Sequence, residues 1–158
     1  MVALKTLAAA ALVAQGVLAS PAQDPQLAKR GEGIHLLNCR PYGGAGVAQT
    51  WLSLVVYCAN DSDCSNLSYS PSSNNVCVKG TSTTSEAYHV WEGGSQSCTF
   101  PSGVKFTWNI PSNAQSQANY SPVGSGSNGY RSFAGYKDDH GATFGYNYHS
   151  CEKIYYYI

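Results

Sequence analysis

After Met1 the chain has no further methionine, and it offers few runs of Leu, Ala, Glu and Lys. That shortage of strong helix formers excludes a fold built on long helices. Positive charge is also scarce. From Gly31 to Ile158 six Lys or Arg stand against eight Asp or Glu, a formal charge of minus two, so the basic stripe that nucleic-acid binding requires is missing. No stretch after Leu18 approaches the about 20 apolar residues that a membrane-spanning helix needs, so no membrane anchor is expected. Histidines at His-x-x-x-His spacing and a Gly-x-Ser-x-Gly elbow between strand and helix are absent too. Gly124-Ser125-Gly126-Ser127 reads instead as a flexible low-complexity turn. Neither a metal nor any other cofactor is expected.

What the chain does contain begins with a leader. Lys5 supplies positive charge, Leu7 to Leu18 is apolar, and Val17-Leu18-Ala19 offers the small residues of a signal-peptidase site, with cleavage expected after Ala19. Residues 20–30 then read as a propeptide ending in the dibasic pair Lys29-Arg30, which leaves residues 31–158 as one secreted domain. Six cysteines, Cys39, Cys58, Cys64, Cys77, Cys98 and Cys151, all follow the leader. An even set in an exported chain implies a disulfide framework. Three such bonds contribute about 2–4 kcal/mol each, chiefly by limiting the unfolded ensemble. Their pairing stays open: Cys58 to Cys64 and Cys64 to Cys77 both satisfy short spacing, among fifteen connectivities.

Gly, Ser, Asn, Tyr and Thr dominate the remainder, a composition suited to pleated strands and frequent turns. In Val104 to Ile110, Val104, Phe106, Trp108 and Ile110 alternate with Lys105, Thr107 and Asn109, which predicts one face on the core and one in water. Val47 to Cys58 is apolar on both faces and predicts a central strand. Tyr130 to Tyr136 and Ala142 to His149 predict a hairpin turned at residues 137–141. Its aromatic face of Tyr130, Phe144, Tyr146 and Tyr148 would point inward. Ile34 to Cys39, Tyr88 to Trp91 and Lys153 to Ile158 complete the strands, and Ser112 to Ala118 supplies a helical turn or two. The fold class is therefore all-β: a small disulfide-stabilised antiparallel barrel or sandwich with at most one short helix.

Loops are expected at Asn60-Asp61-Ser62-Asp63, as a solvated turn, and at Tyr69 to Asn75. Asn60, Asn66 and Asn119 each start an Asn-x-Ser sequon, the acceptor for an N-glycan. Catalysis would need a base within reach of its proton. The nearest constellation is Arg131 and His149, sharing one hairpin face with Asn147, together with Glu92 brought from elsewhere. An acid-base pair with an arginine could cleave a phosphodiester, as small secreted ribonucleases do; the alternative is the polar outer face of a hairpin, with His140 a loop-tip residue. Sugar-stacking aromatics are sought at Trp91, where core is the commoner fate, and at Tyr155 and Tyr157, placed opposite Ile154, Tyr156 and Ile158.

The blocks Val55-Val56-Tyr57-Cys58, Trp91 to Cys98, Phe106 to Ile110 and Tyr136-Lys137-Asp138-Asp139 resemble small cysteine-rich secreted proteins of filamentous fungi, of the hypersensitive-response-inducing elicitor type. The resemblance spans most of residues 34–158 and carries no site residue with it. It implies a secreted, extracellular effector or elicitor that binds a host protein or a cell-wall glycan; a monomer is expected. The other readings are a small secreted hydrolase, ribonuclease-like or glycan-cleaving, and a carbohydrate-binding module.

Overall fold

The computed structural model describes residues 31–42 and 49–158. The expected cleavage points Ala19, Lys29 and Arg30, and the first residues of the strand expected from Val47, lie outside them. The described chain forms β1 (Gly33–Pro41), β2 (Trp51–Cys58), β3 (Val76–Ser82), β4 (Gly94–Thr99), β5 (Lys105–Ile110), β6 (Pro122–Ser127), β7 (Ser132–Lys137), β8 (Ala142–Tyr146) and β9 (His149–Tyr157). Three short 3-10 turns, at Asp61–Ser65, Ser73–Asn75 and Ala114–Ser116, are the helical elements among the described residues. The fold is all-β, as composition predicts.

Every strand pair is antiparallel, and the order β3-β2-β1-β9-β7-β6-β5-β4 rolls into a nearly closed barrel. The edge strands β3 and β4 meet at a seam. There the Cys77–Cys98 disulfide and a hydrogen bond of 3.0 Å from Lys79 Nζ to the Ser97 carbonyl tie them together. The Lys79 ammonium also lies over the Trp108 ring, 5.5 Å from its centroid. Covalent and side-chain ties thus cover edges that would otherwise present unpaired backbone. Cys39–Cys151 joins directly opposed residues of β1 and β9, and Cys58–Cys64 ties β2 to the Asp61–Ser65 turn.

Two apolar clusters result. The barrel interior holds Ile34, Leu36, Val55, Trp91, Phe106, Trp108, Phe133, Ile154, Tyr155 and Tyr157 among others. The second cluster lies outside the barrel wall, where Leu37, Leu54, Val56 and Phe144 pack around Cys39–Cys151 and Cys58–Cys64. β2 feeds both clusters and is covered on both faces, and β5 buries Phe106, Trp108 and Ile110 while exposing Lys105 and Asn109.

Several expectations are corrected. β7 and β8 do not form a hairpin: β7 pairs with β6 and β9, and β8 pairs with β9. The chain reverses at Asn147 and Tyr148, whose φ of 45° and 64° make the two-residue turn that right-twisted strands prefer, so the partner of β8 is the strand after it. The inward aromatic face holds only in part: Phe144 is buried and Tyr146 packs against the second cluster, whereas Tyr130 is 88% and Tyr148 71% exposed. Gly124 to Ser127 is not a flexible turn but part of β6. A Cβ on Gly126 would sit 2.4 Å from the Phe106 ring, and one on Gly135 2.5 Å from the Tyr157 ring. These glycines let large interior rings press against the wall. Tyr155 and Tyr157 are fully buried rather than exposed. A register shift opposite Leu36 and Leu37 leaves Ile154 as an extra residue of β9, so both Ile154 and Tyr155 reach the interior and strict alternation breaks.

Candidate functional site

Along β1 the interior-facing positions run Ile34, Leu36, Asn38, Arg40: apolar in the core, then polar toward one end. Across from them on β9, Glu152 opposes Asn38 and Ser150 opposes Arg40. The barrel therefore opens at this end into a cleft of about 500 Å³, lined also by Trp51 of β2, Glu86 and Tyr88 of the β3–β4 connection, and His140 of the β7–β8 loop.

The floor is fixed by a network of hydrogen bonds. Trp91, 2% exposed, plugs the barrel, its Nε1 donating to Asn38 Oδ1 at 3.1 Å while its carbonyl accepts from Trp108 Nε1 at 3.3 Å. Asn38 Oδ1 also accepts from Ser53 Oγ at 3.4 Å, and Ser53 Oγ in turn accepts from the His89 backbone N–H at 2.9 Å. His89 Nε2 lies 2.6 Å from Gln96 Oε1, and Gln96 Nε2 donates to the carbonyls of Val90 and Glu92. Tyr88 to Trp91, expected as a strand, is thus irregular backbone held in place by side chains. Its docking brings Tyr88 edge-on to Trp51, with ring centroids 5.5 Å apart at 75°.

The rim carries Arg40, Glu86, Glu152 and His140. None of these side chains, nor the Tyr88 hydroxyl, makes a hydrogen bond or ion pair among the described residues. Glu86 and His140 both hold positive φ, 56° and 63°, an unusual backbone state for residues with a side chain. The Tyr88 phenol is pushed up to about 12, first by burial, then by the charges of Glu152 and Glu86, with Arg40 acting in opposition. All three charges therefore lie within electrostatic reach of one hydroxyl.

The constellation expected from the sequence does not assemble. Arg131 pairs with Glu32 at 3.6 Å, beyond the β7 end of the barrel. His149 sits at the opposite end of β9, its Nε2 2.6 Å from the Thr50 carbonyl and its Nδ1 against the carbonyls of Tyr146 and Asn147. Asn147 lies in the β8–β9 turn. Glu92 accepts from Gln115 Nε2 at 3.0 Å and from the buried Tyr155 hydroxyl. His149 and Glu92 are committed to structural bonds, and Arg131 only to a half-exposed ion pair. Trp91 is core and offers no face to a sugar. Nor is the Asn60–Asp63 segment a wholly solvated turn, since Asp61 is 2% exposed and lies 2.9 Å from the buried His35 Nε2. Asn60, Asn66 and Asn119 are exposed. Among the described residues no three His, Cys, Asp or Glu gather as a metal would require, and no helix is long and apolar enough to cross a membrane.

Of the cleft residues, the sequence marks His140 as a loop-tip residue and places Trp51 and Tyr88 in expected strands, but Arg40, Glu86 and Glu152 belong to no local motif. The one signal that could have found Arg40 is the switch from apolar to polar at alternate positions after Leu36. Comparison with protein-family models, with curated proteins and with solved structures finds no match to this chain.

Proposed function

We propose that this chain is an exported effector- or elicitor-like protein of a filamentous fungus, acting outside the cell by contact, and that it holds a wall or host glycan in the barrel-mouth cleft. One observation carries the reading: half-buried Trp51 and Tyr88 stand beside Arg40, Glu86, Glu152 and His140, whose side chains bond to none of the described residues. Sugars need both, an aromatic surface for their C–H faces and hydrogen-bonding groups for their hydroxyls. The three disulfides suit the oxidising exterior. Calorimetric titration of the pure protein with neutral and charged oligosaccharides is the test. Saturable binding lost in Trp51→Ala supports the reading, and absence of binding to every class overturns it. Infiltration into leaves then asks whether the same variant loses a defence response.

A second reading, a secreted glycan hydrolase, is favoured by the gathering of Glu86, Glu152 and His140 at one cleft. Release of reducing ends by the wild type, abolished in Glu152→Gln with binding retained, selects it.

A further inference from the structure

Glu86 and Glu152 confront a single Arg40 in this cleft, so carboxylates outnumber permanently positive side chains at the mouth. Elsewhere the fold gives its buried carboxylates a donor, Asp61 having His35 and Asp138 having Lys153 at 3.3 Å, and the half-buried Glu92 has Tyr155 and Gln115. A mouth with excess negative charge repels phosphodiesters and uronic acids, and it attracts a ligand that brings positive charge with it. The cavity, about 500 Å³, is far larger than a bare cation, and its rings and hydroxyl-bonding groups suit a polyol. We infer that the occupant is a cationic glycan, an oligosaccharide of unacetylated amino sugar, with Glu86 and Glu152 facing its ammonium groups and the Trp51–Tyr88 pair against its ring.

Arg40 opposes Ser150 on the neighbouring strand and supplies donors to sugar hydroxyls beside the carboxylates. That division explains why the cleft holds both signs of charge without an ion pair among its described residues: each charge is left for the ligand. The inference rests on the glycan reading above and specifies its ligand.

The experiment is a set of calorimetric titrations at low ionic strength with four probes: tetramers of glucosamine, N-acetylglucosamine and glucose, and tetralysine. The glucosamine tetramer is expected to bind at least about threefold more tightly than either neutral tetramer, in line with the small energy of a partly exposed charge pair. That advantage should vanish in Glu86→Gln/Glu152→Gln and at high salt, so that the glucosamine tetramer then binds no more tightly than the neutral tetramers. The salt series on the wild type gives the answer even where the double variant fails to fold. Equal affinity for all three sugars overturns the cationic ligand and leaves glycan binding intact; no binding by any sugar overturns both. Tetralysine binding as tightly as the glucosamine tetramer assigns the cleft to basic peptide and also overturns the inference.

Discussion

Beneath the Asp61–Ser65 turn, His35 and Asp61 are each 2% exposed and held together at 2.9 Å, whereas at the barrel mouth Arg40, Glu86 and Glu152 keep partial or full contact with water and their side chains bond to none of the described residues. The two regions show what each kind of polar group is for. A buried charge without a partner costs several kcal/mol, so the outer-layer pair is fixed by the stability of the fold. A hydrated charge at a mouth costs almost nothing in stability and remains available to a ligand. Changing the first region should therefore reach folding and spare binding, and changing the second the reverse.

Asp61→Ala should give the largest effect. It leaves His35 buried, with Nδ1 already lacking a hydrogen-bond partner, and should cost about 3 kcal/mol in urea unfolding. Glu152→Ala should cost under about 0.5 kcal/mol in the same measurement. Similar losses from both would break the distinction. Gly126→Ala is next: its Cβ would meet the Phe106 ring at 2.4 Å, and overpacking of this kind costs about 1–3 kcal/mol. Thermal melting should register that loss, because the rings of Phe106 and Tyr157 are both buried and have little room to retreat.

Lys153→Met probes a pair between these extremes, the Lys153 side chain being 16% and that of Asp138 2% exposed. Burial holds the Asp138 carboxyl above its ordinary value, and the Lys153 ammonium is the main influence pulling it back. A carboxyl raised in the folded state favours folding while protonated, and that contribution fades as pH rises through the folded value. Removing Lys153 raises Asp138 further. The variant should therefore lose little stability near about pH 4 and about 2 kcal/mol more near about pH 7. A loss independent of pH would show that Lys153 acts through packing alone.

How far the sequence reveals these regions depends on the range of the signal. β5 and β2 were legible because the alternation and the two-sided apolar pattern are local properties of seven to twelve residues. The role of Gly124 to Ser127 was not, since it is set by rings on β5 and β9 that only folding brings beside β6. The reversal at Asn147-Tyr148 lacks the glycine that usually marks such a turn, so the sequence pattern points β8 to the wrong neighbour. The cleft was the least legible part. Arg40, Glu86, His140 and Glu152 are scattered over more than one hundred positions, and their meaning lies in what they do not touch.

The smallest effect separates charge acting through a field from charge acting through contact. Tyr88 and Tyr120 are both pushed up to about 12 from 10.0, for different reasons. At Tyr88 burial leads, followed by the cleft glutamates; at Tyr120 the leading cause is its hydroxyl donating to Asp139 Oδ2 at 2.5 Å. A phenol raised on folding stabilises the native state below its ordinary value and loses that contribution as pH climbs through about 12, so both act only in strong alkali. Ultraviolet titration of phenolate in single variants distinguishes them. Asp139→Asn should return Tyr120 toward 10.0 and leave Tyr88 in place, because the hydrogen bond to the charged acceptor is the main cause. Glu152→Gln should lower Tyr88 only slightly, since burial remains, and should leave Tyr120 unchanged. A fall of Tyr88 as large as that of Tyr120 would mean that Glu152 is bonded to the phenol, and the cleft carboxylates would then belong with the paired groups of the outer layer.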